Sequence, residues 1–263
     1  MFGPRPEIEH WLAQTEPTWQ PDEDVDADSE WQLADSWQPG MDGESLMAVT
    51  DDTVGIVPDN YEPRYPYPLV IWLCDKDCPP AAALEHIAHL SPQNYVGLAL
   101  DSGSLAPANP LGDAREELMR LVTSLAEIEN RVVAAVRSFR QTVHVHSERI
   151  FLVGVGQAAS TAMLMQLHQP DWFSGCVAFG GQFLPSASLL IQRRGLASNR
   201  FWLGAPINTR STGIVNDTQH AARQLIASAA DVTTQLYPTN KLVSRTMLRD
   251  VDRWIISSIL TEA

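Results

Sequence analysis

The sequence predicts an α/β fold: a mostly parallel central sheet with helices on both faces. Three observations carry that expectation. Strand-length apolar runs alternate with segments of helical periodicity from about residue 49 to the end. Some runs, such as LVIWL at 69–73, are apolar at every position, as strands covered on both faces are. The chain of 263 residues, 44% hydrophobic and 19% charged, is long enough to bury one large core.

The elements follow in order. TVGIVP at 53–58 reads as a strand closed by Pro58, and the turn-rich NYEPRYPYP leads into the run at 69–73. NYVGLAL at 94–100 is a further strand. Residues 113–139 then form a long amphipathic helix, with Asp113 as its start signal. Leu118, Leu121, Val122, Leu125, Ile128, Val132, Val136 and Phe139 recur there at spacings of three and four. Strand RIFLVGV (149–155), helix 157–169 and strands 174–180 and 200–206 come next. A helix near 216–229, strand 232–238 and a helix near 243–260 close the chain. One domain over 49–263 accounts for all of these.

Charge divides the chain differently. Residues 6–63 hold sixteen acids and no lysine or arginine, a net of −16, out of −14 for the whole chain. The remainder has 18 basic and 16 acidic residues, so the body is almost neutral. Residues 1–48 read as an acidic, weakly folded arm, because so charged a segment buries too little apolar surface to offset chain entropy. Such an arm repels phosphates, which argues against nucleic acid as a partner. The stretch 16–59 is the candidate surface for a protein partner. The start of the chain lacks the basic and apolar regions of a secretory signal, and no apolar run reaches about 18 residues, so no membrane partner is expected. Cys74, Cys78 and Cys176 make an odd count, unlike a disulfide framework, and a cytoplasmic location follows as the expectation.

The segment RIFLVGVGQAAS at 149–160 carries the functional question. Gly154, Gly156 and Ala159 satisfy G-x-G-x-x-G/A, the dinucleotide-binding pattern. That fingerprint normally opens its fold and needs an acid at the end of the next strand. Here earlier strands precede it and the next strand ends AFGGQF, so no nucleotide cofactor is expected. The same residues also fit the nucleophile elbow G-x-S-x-G, which needs small residues two before and two after its centre. Gly154 and Ala158 supply them, but Gly156 stands where serine would. A plain strand-to-helix turn is the third reading.

On these residues the chain resembles the phospholipase/carboxylesterase group of the α/β-hydrolase superfamily, over about residues 53–260. RIFLVGVGQA resembles that group's strand, elbow and helix, with Gln157 after the nucleophile position. VPDNYEPRYPYPLVIWL, GCVAFGGQFLP and LRDVDRWI resemble its entry strand, the strand after the elbow and the closing helix. The resemblance implies an α/β-hydrolase fold. It also places Gly156 at the nucleophile, Thr212 at the acid, Asn240 at the histidine, and Cys74-Asp75 where the oxyanion loop would be. It implies a relic pocket touching Gln157, Asp75 and Asn208, able to take a small acyl-type ligand.

No histidine follows His220 in the sequence, although a serine hydrolase of this kind needs a base from the loop after the last strand. Asparagine cannot serve as that base. An aspartate in the oxyanion loop opposes the charge that develops during acyl transfer.

No metal is expected. Cys74-Asp75-Lys76-Asp77-Cys78 is C-x-x-x-C without a second pair, which reads as thiols in a loop. His86 and His89 read as the solvated face of a helix, and His144 and His146 as loop residues. Ser160 reads as a helix hydroxyl bonded to the preceding turn, and Cys176 as core. Two functions remain: a non-catalytic binding or interaction module, and an active ester hydrolase with relocated residues, such as Cys74 or Cys78 with His86 or His89.

Overall fold

The structure, a computed structural model, describes residues 46–50, 53–75, 79–103, 114–183, 196–208 and 213–261. These lie in one compact unit, Met41–Ala263. Among the described residues the strands are β1 (Leu46–Thr50), β2 (Thr53–Ile56), β3 (Tyr67–Cys74), β4 (Val96–Asp101), β5 (Val145–Val155), β6 (Gly175–Phe179), β7 (Arg200–Pro206) and β8 (Asp231–Tyr237). The helices are α1 (Pro80–Leu90), α2 (Ala114–Phe139), α3 (Gln157–His168), α4 (Gly213–Ala227) and α5 (Arg245–Thr261).

The strands form a single sheet in the order β1-β2-β4-β3-β5-β6-β7-β8. β1 and β2 pair antiparallel, as do β2 and β4; every other neighbouring pair is parallel. β3 shows how sequence dictates this arrangement. Its alternate residues serve opposite cores: Leu69, Ile71 and Leu73 pack with α2, α3 and α4, while Val70, Trp72 and Cys74 pack with α1 and α5. Every residue of β3 is buried. Full burial of each large side chain contributes about 1.5–3 kcal/mol, so a strand apolar at every position is stable only with helices on both faces.

The stripe expected on α2 is present. Leu121, Leu125, Ile128, Val132 and Phe139 are buried in the core it shares with α3. The helix is described from Ala114, and Asp113 lies outside the described residues.

Three features depart from the expectations. Leu46, Met47 and Ala48, which the charge pattern assigns to the arm, stand in β1; the acidic stretch 16–59 thus runs into β1 and β2 of the sheet. β5 begins at Val145 rather than at 149, so His146 is a strand residue and not a loop one. The alternation Val143-His144-Val145-His146 explains this, since both valines are buried and Val145 pairs with Tyr67. Cys74 is the last residue of β3 and 1% exposed, not a half-buried loop thiol. Cys176 is core, as expected.

Candidate functional site

Parallel α/β sheets place their ligand sites at the carboxyl ends of the strands. There Gly156 forms the junction between β5 and α3. Its backbone sits at φ 57°, ψ −118°, the mirror-image turn conformation that glycine adopts freely and other residues reach only under strain. Gly154 fixes how close the helix comes. A Cβ there would stand 2.4 Å from the carbonyl oxygen of Ala158 and 2.6 Å from the nitrogen of Ala159. Backbone cannot yield to such an overlap, so only glycine fits. The steric demand of an elbow is therefore met in full: a glycine two residues before the tip and an alanine two after.

A chain of backbone bonds carries this geometry across the strand ends. Gly156 N–H donates to Phe179 O (2.8 Å), Gly180 N–H to Gly204 O (2.9 Å), and Ile207 N–H to Tyr237 O (2.8 Å). Asn208 N–H donates to Thr239 O (3.0 Å), which brings the segment after β7 beside the one that carries Asn240. On the other side of β5, Ser102 N–H donates to Cys74 O (2.6 Å) and holds the end of β3 to the segment after β4. Gly180 and Gly181 close the floor. Gly180 has φ 68°, and a Cβ on it would press on Leu242 and Ile214; one on Gly181 would lie 2.8 Å from Ala159 Cβ.

What faces the elbow is a carboxylate. Among the described residues, the one neighbour within 4 Å of a Cβ placed on Gly156 is Asp75 Oδ2, at 3.7 Å. Asp75 is half-buried, at the positive end of the α3 dipole, where a negative charge is stabilised. In an acyl-transfer site that same field serves the developing oxyanion. Here a side-chain carboxylate stands beside it.

The remaining candidates divide. Gln157 opens α3 with its side chain exposed, and Asn208 and Asn240 are exposed on neighbouring segments. Thr212 and Cys78 lie outside the described residues. His86 is not on a solvated face: its ring stacks on Trp72 at 5.1 Å and 30°, and burial holds its pKa below the ordinary histidine value. His89 pairs with Glu85 one turn back (3.7 Å), and burial lowers its pKa too. His168 ends α3 and binds the buried Glu129 at 2.6 Å. Ser160 does not bond to the preceding turn; its Oγ accepts from Gln182 N–H (2.9 Å) and ties α3 to the segment after β6. Among the described residues no group of three or more His, Cys, Asp or Glu side chains is placed to hold a metal ion.

Sequence reasoning missed Gly180 and Gly181 as parts of the site. The doubled glycine after an apolar strand is the signal that marks them.

Sheet order, helices on both faces and an elbow at the end of β5 define an α/β-hydrolase fold. Solved esterases share it. The chain is similar to a phospholipase/carboxylesterase from Dyadobacter fermentans (15% identity, 81% of this chain and 99% of that one, TM-score 0.55). It is similar to the Bacillus cereus carboxylesterase (14% identity, 78% and 93%, TM-score 0.53). It also matches a thermostable esterase at 14% identity and TM-score 0.53, over 84% of its own length and 61% of that protein's. No family model matches the chain, and no curated protein is similar to it in sequence. No described helix is long and apolar enough to cross a membrane.

Proposed function

We propose that this chain is a non-catalytic α/β-hydrolase-like protein of the cytoplasm, a pseudoenzyme. It holds a small acyl-type ligand at the carboxyl ends of β3 and β5 to β8 without cleaving it, and its acidic stretch 16–59 recruits a protein partner. The observation that carries this reading is the carboxylate of Asp75 directed at the side-chain position of Gly156. An acyl group seated there meets no side chain at position 156, and an oxyanion would form next to a carboxylate. The sequence adds that no histidine follows His220, so a serine placed at 156 would find no base on the segment after β8.

Against relocated chemistry stand the burial of Cys74 and the stacking of His86 on Trp72. A thiol becomes a nucleophile only as thiolate, in an exposed and electropositive setting.

The test uses the full chain with short-chain p-nitrophenyl esters and a fluorophosphonate probe, read by release of nitrophenol and by intact mass. The proposal expects no turnover above buffer and no mass adduct. A covalent adduct, or turnover that a single substitution abolishes, would overturn it.

A further inference from the structure

The two edges of the sheet are built differently. β1 is five residues long, its register with β2 is interrupted between Ala48 and Thr50, and acids flank it at Glu44, Asp51 and Asp52. Short length, irregular pairing and charge are the usual protections of an edge. β8, at the other edge, lacks the first two and carries charge only at its start. It runs seven residues as DVTTQLY in regular register with β7, without lysine or proline. That charge, Asp231, pairs with Arg200 (3.8 Å). Leu236 is 37% exposed on it, and Ile226 is 44% exposed on α4, the helix that packs on β7 and β8. Among the described residues no strand pairs with the outer side of β8.

Backbone direction fixes what this edge can bind. Asp231 N–H donates to Asn199 O, and Tyr237 O accepts from Ile207 N–H, so both ends of β8 turn their backbone groups inward to the β7 side. Alternate residues of a strand point opposite ways. Val232, Thr234 and Leu236 therefore turn their N–H and C=O groups outward.

We propose that the outer edge of β8 pairs with β8 of a second copy of this chain, antiparallel about a two-fold axis at Thr234. The register is the one that satisfies every outward group. Thr234 stands opposite Thr234 of the second copy, and Val232 and Leu236 stand opposite Leu236 and Val232. Those three pairs are hydrogen-bonded pairs, each exchanging two bonds. Shifting the copies by two residues loses one pair, and shifting by one sets outward groups against inward ones. The same register lays the exposed Leu236 beside a valine and keeps the two Asp231 side chains at opposite ends, so no like charges meet. A two-fold contact of this kind closes on itself and yields a dimer rather than a fibre.

The experiment is sedimentation of the full chain at micromolar concentration, alongside Thr234→Pro. Proline deletes only an outward N–H and is tolerated on an edge strand. The expected result is twice the 29.1 kDa chain mass for the parent and the single mass for Thr234→Pro, with unchanged circular dichroism. Thr234→Cys tests the register separately. Its two Cα atoms would lie about 5.5 Å apart, within disulfide range. Mild oxidation should link that variant into dimers and leave the parent and Asp231→Cys unlinked. A parent of single mass, a dimer indifferent to Thr234→Pro, or equal linking of Asp231→Cys would overturn the proposal.

Discussion

Asp75 and Gly156 face each other at the end of the sheet: a carboxylate oxygen of the first lies 3.7 Å from where a Cβ on the second would stand. Asp75 brings a carboxylate to this strand end, and Gly156 presents no side chain to it. The turn between them keeps its form, because Gly154 and Ala158 still meet its steric demands.

Substitution of the two elbow glycines should separate form from strain. Gly154→Ala drives a methyl group into the backbone at Ala158 and Ala159, with contacts of 2.4–2.6 Å. A loss of about 3 kcal/mol or more is expected, since overpacking against rigid neighbours reaches that range. Gly156→Ala meets only an ordinary contact with Asp75 Oδ2 among the described residues, so its cost is that of the positive φ, about 1–3 kcal/mol. Urea unfolding with unchanged m-values should rank Gly154→Ala as clearly the more damaging.

The far end of α3 is held by a buried polar cluster. Glu129 accepts from His168 Nδ1 at 2.6 Å and from Gln169 Nε2 at 3.3 Å, which ties α2 to the helix that follows the elbow. Glu129→Ala leaves both donors without that carboxylate and should cost about 2–3 kcal/mol. Glu129→Gln, which keeps an acceptor, should recover part of the loss in the same unfolding assay.

The stack of His86 on Trp72 makes stability depend on pH. Burial disfavours the charged imidazole, so the folded state lowers the pKa of His86. An unfolded chain then binds a proton more readily than the folded one, and stability rises with pH across that window. The contribution is fully present above the unfolded value of about 6.5 and is lost as pH falls through the lower folded value. His86→Phe keeps a ring on Trp72 without the titration. Unfolding free energies at pH 7.5 and pH 5 should differ less in that variant than in the parent.

Most of the sheet was legible because its strands are continuous apolar runs, and α2 because eight apolar residues keep helical spacing over 26 residues. β1 was not. LMAVT is half-exposed and sits between acids, so its pairing with β2 leaves little trace in composition. Ser160 was misread for a similar reason: the local rule assigns a helix hydroxyl to its own turn, while its partner is Gln182 on another segment. The elbow was readable through its two small flanking residues, whose spacing is a steric requirement. The approach of Asp75 to Gly156 depends on how β3 lies beside β5, which spacing alone does not encode.

If the elbow keeps the shape of a nucleophile turn without the groups that would activate a nucleophile, a serine at its tip should stay inert. The most direct measurement restores the nucleophile alone: Gly156→Ser, assayed with p-nitrophenyl acetate and a fluorophosphonate probe, beside Gly156→Ser/Asp75→Asn. No saturable turnover is expected in either variant, because neither gains a base on the segment after β8. Probe labelling should be faster when the Asp75 carboxylate is removed, because that group opposes the anion formed at the serine. Saturable ester hydrolysis by Gly156→Ser, lost again in Gly156→Ala, would contradict the reading of the elbow as inert.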